Sequence, residues 1–440
     1  MAGMVKRGLD RIKTMVANGR EPVLGVRELN RIREQLTECA ERVGGEVSAR
    51  ARAARLGETY LKLGDAGRRE FLRLLAVEFG PDPKRVAVAH EAWQAAIGTP
   101  AQWDAESGLR SAMRSRRIRI LTQFNALPQG VKFLVDLRAD LLRFLNDSPE
   151  LMALDRELEA RLTAWFDVGF LELRRITWTS PAQLLEKLIE YEAVHEIRSW
   201  TDLKNRLDSD RRCYAFFHPR MPMEPLIFVE VALTDHLADN VQALLDEHAP
   251  VFDAQRADTA IFYSISNTQH GLRGVSFGNF LLKRVIDDLQ RDFPKLKTFA
   301  TLSPIPQLAG WVKQHPEALK DAGIELDAAH LATGEWTKNK SETRHLREPL
   351  LKLAARYLTQ AKNGRLPFEA VARFHLGNGA RIERVNPLGD TSFKGFKQSY
   401  GLMVNYLYNP DEIEKNVEAF VTEGTVAMSP ALRRLSRSET

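Results

Sequence analysis

The sequence predicts two domains of different class, an all-helical bundle over residues 1–178 followed by an α/β domain over residues 179–428. Apolar residues recur at helical spacing through the first part, which has almost no alternating strand-like segments. Short β-branched and aromatic runs begin only after about residue 210, and helical segments lie between them. We expect the last residues, 429–440, to form a disordered tail.

The helical domain is predicted from apolar stripes and from residues that end helices. The segment Phe71–Phe79 carries apolar residues at helical spacing and stops at Gly80, which a proline follows. Gly130–Leu145 places leucines on one stripe, and Ser148-Pro149 predicts the start of a further helix that runs to Trp165. Such helices pack through their apolar stripes.

The α/β domain is predicted to start where a new helix follows the break at Thr177–Pro181. Ser180–Gln183 matches a capping box, which would begin that helix. The segments that read as strands are Tyr214–Phe217, Leu226–Leu233, Thr259–Ser266, Lys297–Leu302 and Leu402–Tyr408.

Composition restricts the class of protein. With 44% hydrophobic and 28% charged residues the chain reads as an ordinary globular protein, and no apolar run approaches 18 residues, so we expect no membrane contact. The two cysteines, Cys39 and Cys213, cannot form a disulfide framework or a cysteine zinc site. The basic start lacks an apolar core, so we do not expect a secretory signal, and we expect a cytoplasmic protein.

Charge and motif content argue against nucleic acid and metal. The net charge is +5, and basic residues are mixed with acidic ones rather than held in a block, so we expect no nucleic-acid partner. The positive charge could serve an acyl-CoA with its several phosphates. His218 and Glu230 suggest a metal, but no HExxH pattern supports one, so we assign no metal and no other cofactor.

A glycine-bearing turn between the strand Thr259–Ser266 and the next helix predicts an anion site. Glycines allow the main chain to approach a ligand, and free N–H groups at a helix start point at phosphate oxygens. The turn resembles the Arg/Gln-x-x-Gly-x-Gly/Ala loop with which GNAT acetyltransferases hold the pyrophosphate of coenzyme A, although Ser276 replaces the first glycine. A plain strand-to-helix turn is the alternative. The candidate CoA-binding residues are Arg273, Gly274, Val275, Ser276, Phe277, Gly278 and Asn279.

Several longer segments, together with this turn, closely resemble the malonyl-CoA decarboxylase family. The resemblance is dense from about residue 212 to residue 408 and thinner before it. It implies a GNAT acetyltransferase-like catalytic domain, conversion of malonyl-CoA to acetyl-CoA and carbon dioxide without a cofactor, and a homo-oligomer, dimer or tetramer, assembled partly through the helical domain. The segments are 213–234, 262–266, 299–306, 372–380 and 401–408.

Ser303 is the first candidate catalytic residue. It follows the strand Lys297–Leu302 and precedes Pro304, so its hydroxyl would be held at the carboxyl edge of a sheet, where ligands bind in open α/β folds. Taken alone, the position of Ser303 favours a simpler role, as the cap of a short helix at Gln307–Val312. The resemblance implies that it is the catalytic hydroxyl.

His375 and Tyr408 complete the candidate site. Phe374 and Leu376 flank His375, and a partly desolvated imidazole can titrate near neutral pH and act as acid or base. The resemblance implies that His375 is the catalytic histidine. Because decarboxylation of a malonyl thioester needs an acid that protonates carbon, we assign His375 as the proton donor, with Ser303 polarised by it. Tyr408 aligns with a tyrosine implicated in the family's site, and an ordinary strand aromatic is the alternative.

Two other functions stay open from the sequence. An acyltransferase of the same fold would need a groove for an acceptor amine, and no segment identifies one. A non-catalytic acyl-CoA-binding or assembly protein would use the helices as its partner surface, but the presence of both Ser303 and His375 argues against it. At the position of Ser276 some family members carry a carboxylate, so we expect a binding rather than a catalytic role there.

Overall fold

The structure is a computed structural model that describes residues 24–41, 45–275 and 281–437. It forms two compact units. Of the described residues, the first comprises those up to 167 together with residues 269–275, and the second comprises residues 168–268 and 281–437. The first is helical and the second is built on a mixed sheet, which confirms the predicted fold class.

The helical unit buries the apolar stripes that the sequence predicts. Phe71 and Leu75 of one helix and Leu134, Leu137 and Leu141 of another are all inaccessible to solvent. The described α-helices of this unit are α1 (Val26–Glu41), α2 (Gly45–Leu61), α3 (Asp65–Glu78), α4 (Pro83–Ala96), α5 (Gln102–Ala112), α6 (Arg117–Asn125), α7 (Gly130–Phe144) and α8 (Met152–Trp165).

A segment distant in sequence, residues 269–275, packs on α7. The buried Arg138 of α7 donates through Nη1 to the carbonyl oxygens of Gly271 and Arg273, at 3.0 and 2.7 Å. A Cβ atom at position 271 would lie 1.8 Å from the carbonyl oxygen of Val135, so only glycine permits this approach. The segment therefore belongs to the helical unit, although the sequence places it within the predicted catalytic domain.

In its described residues, the second unit contains ten strands among shorter helices. Its strands are β1 (Glu172–Ile176), β2 (Arg211–Phe217), β3 (Pro225–Thr234), β4 (Thr259–Asn267), β5 (Thr298–Thr301), β6 (Ser303–Pro304), β7 (Lys362–Asn363), β8 (Leu366–Pro367), β9 (Arg381–Asn386) and β10 (Met403–Tyr408). Its described helices are α9 (Ala182–Tyr191), α10 (Trp200–Arg206), α11 (Val241–Leu244), α12 (Leu281–Asp292), α13 (Leu308–Gln314), α14 (Glu317–Asp321), α15 (Ala328–Thr333), α16 (Lys340–Gln360), α17 (Ala370–Gly377), α18 (Phe393–Ser399), α19 (Ile413–Glu423) and α20 (Pro430–Ser436).

The large sheet runs β1, β2, β3, β4, β5, β10, and β10 also pairs with β6 and with β9. Pairing is antiparallel except between β4 and β5, which are parallel. The β4–β5 ladder ends at the pair of Phe262 with Thr301. Beyond this pair, β4 continues to Asn267, with a bulge at Tyr263. The segment that follows β5 continues into β6. The two central strands therefore lose each other's hydrogen bonds part of the way along the sheet.

The domain limits need correction. Strand β1 pairs with β2 along its whole length, so the α/β unit begins before residue 172 and not at residue 179. The Ser180 hydroxyl accepts a hydrogen bond from the Thr177 N–H, and it does not cap α9 as the capping box predicted.

The expected disorder of residues 429–440 is wrong for most of that segment. The Ser429 hydroxyl caps helix α20, Pro430 occupies its first turn, and Leu432 is buried. Residues 438–440 lie outside the described chain. Within the described ranges, no helix combines the length and the hydropathy that crossing a membrane would require.

Candidate active site

A cavity of about 250 Å³ lies where β4 and β6 separate. Two polar side chains of the predicted site, Ser303 and His375, form part of its wall. Among the described residues that line it, none is acidic and none is lysine or arginine. The lining residues are Val194, Phe262, Tyr263, Ile265, Asn267, Ser303, Pro304, Ala370, Val371, Phe374 and His375.

Ser303 is held by the sheet and does not cap a helix. It lies in β6, buried, opposite Val404 of β10. The following helix, α13, begins at Leu308, and its N-cap residue is Gln307 with no side-chain cap. The alternative role of Ser303 as a helix cap is therefore excluded.

His375 lies in the last turn of α17, which its neighbours fix in place. Glu369 caps the helix through the Val371 N–H, and its other oxygen accepts bonds from the Gln307 N–H and the Tyr357 hydroxyl. The imidazole ring of His375 stacks on Tyr406 with ring centroids 4.4 Å apart and an interplanar angle of 25°. The ring therefore has little freedom to turn.

The three predicted catalytic side chains form one hydrogen-bonded chain. The His375 Nε2 atom lies 3.1 Å from the Ser303 Oγ atom. On the other side of the ring, Nδ1 lies 2.8 Å from the hydroxyl oxygen of Tyr408 in β10. Tyr408 is thus a buried strand residue and also the second partner of the imidazole.

Burial sets the protonation states of this chain. Loss of solvent lowers the pKa of His375 to about 3 and raises the pKa of Tyr408 well above its usual range. At neutral pH the imidazole and the phenol are both uncharged. The expectation that His375 titrates near neutral pH is wrong, because only 3% of this residue is exposed to solvent.

Sequence reasoning missed the groups that surround the chain. The Thr301 Oγ1 atom lies 2.9 Å from the Ser303 Oγ atom, and Tyr406 supplies the stacking ring. Thr301 and Ser303 are two residues apart at the end of a strand, and that spacing was the available signal. No sequence signal pointed to Glu369.

The predicted CoA-binding turn is only partly described. Arg273, Gly274 and Val275 belong to the helical unit, whereas Ser303, His375 and Tyr408 belong to the other. Gly274 has a φ of +85°, and a Cβ atom there would lie 2.7 Å from Glu159 Oε1, so the main chain itself requires glycine. The remaining residues of the turn lie outside the described chain: Ser276, Phe277, Gly278 and Asn279.

The acidic residue that suggested a metal has another partner. The Glu230 carboxylate accepts a hydrogen bond of 2.9 Å from the buried Arg206. In residues 24–41, 45–275 and 281–437, no group of three or more His, Cys, Asp or Glu side chains could hold a metal ion.

A mixed α/β unit that holds a hydroxyl–imidazole–phenol chain beside an apolar cavity has the features of an enzyme that uses acid–base chemistry. Family models identify it more closely. Residues 169–440 match the malonyl-CoA decarboxylase C-terminal domain, and residues 79–166 match the malonyl-CoA decarboxylase N-terminal domain. The chain belongs to the malonyl-CoA decarboxylase family.

Individual relatives agree. The chain is 37% identical over 413 residues to the mitochondrial malonyl-CoA decarboxylase of Mus musculus, covering 86% of this chain and 83% of that protein. Its structure is similar to the crystal structure of malonyl-CoA decarboxylase from Rhodopseudomonas palustris, with a TM-score of 0.83 and 41% identity over 91% of this chain and 99% of that one. It is also similar to the crystal structure of malonyl-CoA decarboxylase from Agrobacterium vitis, with a TM-score of 0.84 and 42% identity over 92% of this chain and 99% of that one.

The depressed pKa of His375 predicts acid sensitivity of the fold. Unfolded His375 binds a proton below its ordinary pKa of 6.5, but the folded protein does not until about pH 3, so stability is lost as pH falls between these values. The loss is about 1.4 kcal/mol per pH unit. Urea denaturation at about pH 7 and pH 5 should therefore show about 2 kcal/mol less acid destabilisation in His375→Gln than in the native protein.

The exposed His248 supplies the control for this measurement. His248→Gln should retain the pH dependence of the native protein. An equal acid destabilisation in His375→Gln and in the native chain would show that the folded protein accommodates a charged His375.

Proposed function

We propose that the second unit decarboxylates malonyl-CoA to acetyl-CoA and carbon dioxide at Ser303, His375 and Tyr408. Membership of the family makes the chain a carboxy-lyase. The observation that carries the proposed site is the uncharged hydrogen-bonded chain whose Ser303 and His375 open on an apolar cavity.

The reaction needs a group that accepts charge and a group that gives a proton. The bond between the α-carbon and the carboxylate carbon breaks, carbon dioxide leaves, and the electron pair delocalises onto the thioester oxygen as an enolate. A proton must then reach the α-carbon. Donors aimed at the enolate oxygen lower the barrier to the first step, and a positioned acid accelerates the second.

The cavity favours loss of the carboxylate. A carboxylate carries concentrated charge, and that charge spreads over the thioester enolate as carbon dioxide forms. A wall built mainly from side chains such as Phe262, Ile265, Val371 and Phe374, without a charged group among its described residues, offers the carboxylate no ion pair. Desolvation there raises the free energy of the ground state more than that of the transition state.

The proton comes from the chain of side chains. In the proposed mechanism His375 is the proton donor and Ser303 is polarised by it. The Ser303 hydroxyl donates to Thr301 before the reaction and turns to the thioester oxygen as the enolate forms. When Nε2 gives its proton to the α-carbon, the Tyr408 phenol gives its proton to Nδ1, and a proton from water returns to the phenol after acetyl-CoA leaves. These groups are 3.1 Å and 2.8 Å apart along the chain, within the range for proton transfer. The steps draw on the protein's own groups, so we propose that no cofactor takes part.

Coenzyme A enters as part of the substrate. We propose that the turn Arg273–Asn279 holds its pyrophosphate, on the basis of the resemblance of that turn. Because the conformation of Gly274 is strained for any other residue, substitution of Gly274 would change the fold as well as the ligand contact. Arg273→Ala, measured by calorimetry with coenzyme A, is the better test, because Arg273 is exposed.

Incubation of the purified protein with malonyl-CoA alone tests the function. Acetyl-CoA should form without an acceptor amine. An acyltransferase would need such an amine, and a non-catalytic binding protein would form no acetyl-CoA. His375→Ala should lower kcat by about two to four orders of magnitude, and Ser303→Ala by about a hundredfold. The double variant should be little worse than the poorer single variant, because the residues act as a unit.

Fully additive losses would contradict the proposed coupling of Ser303 and His375. His248→Gln, at an exposed position, is the control and should keep the native rate. Absence of acetyl-CoA with the native protein would contradict the proposed function itself.

We propose that the protein is a homo-oligomer in which the helices α4 and α5 meet a second copy. Helix α4 has no buried residue, and α5 buries only Ala112. Large apolar side chains are nevertheless exposed on or between them, at Val88, Ile97 and Trp103. Exposed apolar surface of this kind marks interaction sites, and the resemblance implies that the occupant is the same chain.

Light scattering coupled to size-exclusion chromatography tests this interface. Trp103→Glu should shift the protein to a smaller assembly, because a charge would have to be buried in the contact. Gln94→Glu, an exposed polar position of α4, is the matched control and should leave the mass unchanged. A native protein that is already monomeric, or an assembly that Trp103→Glu leaves intact, would overturn the proposal.

We also propose that the protein works in the cytoplasm. Cys39 and Cys213 are both buried and unpaired, which suits a reducing compartment. The relative from Mus musculus is named as mitochondrial. Fractionation of the source cells would decide between the two compartments.

A further inference from the structure

The hydrogen-bond ladder between β10 and its neighbour is interrupted at Thr301. Leu407 pairs with Ala300 before the interruption, and Val404 pairs with Ser303 after it, in the same register. In between, the Tyr406 N–H donates to the Thr301 side-chain oxygen at 3.1 Å. The Thr301 carbonyl oxygen accepts from the Asn405 side-chain amide at 2.7 Å. Side chains thus replace the missing main-chain bonds.

This arrangement fixes the Thr301 hydroxyl oxygen at the site. Thr301 is fully buried, and a main-chain N–H, which can only donate, already occupies one lone pair of its Oγ1 atom. The same oxygen accepts the Ser303 hydroxyl at 2.9 Å. The Ser303 proton therefore points toward Thr301 and away from His375.

The direction of this one bond determines where the protons lie along the chain. Because the Ser303 proton is committed to Thr301, the Ser303 oxygen faces His375 as an acceptor, and Nε2 must carry the imidazole proton. Nδ1 is then bare and accepts the Tyr408 hydroxyl. The neutral imidazole thus presents its proton on the nitrogen that faces Ser303 and the cavity.

We propose that Thr301 is a positioning residue that holds His375 as the Nε2-protonated tautomer by accepting the Ser303 hydroxyl. Without that acceptor, the Ser303 proton turns toward Nε2, and the imidazole proton moves to Nδ1, where it is donated to the Tyr408 oxygen. The nitrogen nearest the cavity then accepts a hydrogen bond instead of donating one. The kinetic consequence rests on the proposed function, whereas the tautomer does not.

Nitrogen NMR of ¹⁵N-histidine-labelled protein reads the tautomer directly, with the His375 signals assigned by their loss in His375→Gln. The native protein and Thr301→Ser should show a protonated Nε2 and an unprotonated Nδ1 for His375. Thr301→Val, which keeps the shape of the side chain but removes its oxygen, should shift the proton to Nδ1. A native His375 protonated at Nδ1, or a tautomer that Thr301→Val does not change, would overturn the proposal.

Steady-state kinetics with malonyl-CoA give the second readout. Thr301→Val should lower kcat by about tenfold to a hundredfold and change KM by less than about twofold, whereas Thr301→Ser should stay within about threefold of native. Thr298→Val, at the other end of the same strand β5, is the matched control and should behave as native. A native kcat in Thr301→Val would contradict the proposal.

Two further outcomes are distinguishable. If the native protein forms no acetyl-CoA, the proposed function fails, and the native tautomer still decides the role of Thr301. If Thr301→Val does not fold, because the Tyr406 N–H loses its acceptor, the native tautomer and the activity of Thr301→Ser decide it. A native Nδ1-protonated His375 or an inactive, folded Thr301→Ser would then overturn the proposal.

Discussion

The site depends on the point at which the two parallel strands of the sheet stop pairing. The last bonded pair joins Phe262 to Thr301, and the Leu302 N–H still donates to the Phe262 carbonyl at 3.0 Å. Beyond this pair, β6 stays hydrogen-bonded to β10, and β4 stays hydrogen-bonded to β3. A cavity therefore opens inside a sheet whose outer pairings remain intact. Ser303 is the first residue past the separation, which places a hydroxyl at the cavity wall.

The histidine that lies against that wall has little contact with solvent. Helix α17 brings His375 to Ser303, the Tyr406 ring covers one face, and Tyr408 closes the far side. The same burial that holds the imidazole uncharged also removes solvent from any acyl group in the cavity. Burial therefore determines both the position of the His375 ring and its protonation state. The same burial makes the folded protein less stable in acid.

Much of the architecture could be predicted from the sequence. The five strand segments were recognisable because each combines β-branched or aromatic residues with a clear end, and each appears within a few residues of its expected bounds. Strand β1, Glu172–Ile176, was not predicted because polar and apolar residues alternate only weakly in it. It lies at the edge of the sheet and, among the described strands, pairs only with β2. The final helix was not predicted because it has few apolar residues, and the burial of those residues, such as Leu432, depends on contacts in the folded protein.

The site shows the same division. Ser303, His375 and Tyr408 were found through family resemblance, whereas their contact across 72 and 33 residues of sequence is a property of the fold. The uncharged state of His375 could not be predicted, since flanking residues do not reveal complete burial. Thr301 was missed because threonine in a strand is ordinary, and its role arises only from a gap in the ladder of β10.

The central claim is that burial keeps the His375 imidazole uncharged throughout the working range of the enzyme. The dependence of kcat on pH tests it most directly, because kcat reports ionisations in the substrate complex. With the pKa of His375 at about 3, kcat should stay level from about pH 8 down to about pH 5, as long as fluorescence shows the protein folded. A decline in kcat centred near the ordinary imidazole pKa of 6.5, in folded protein, would contradict the claim.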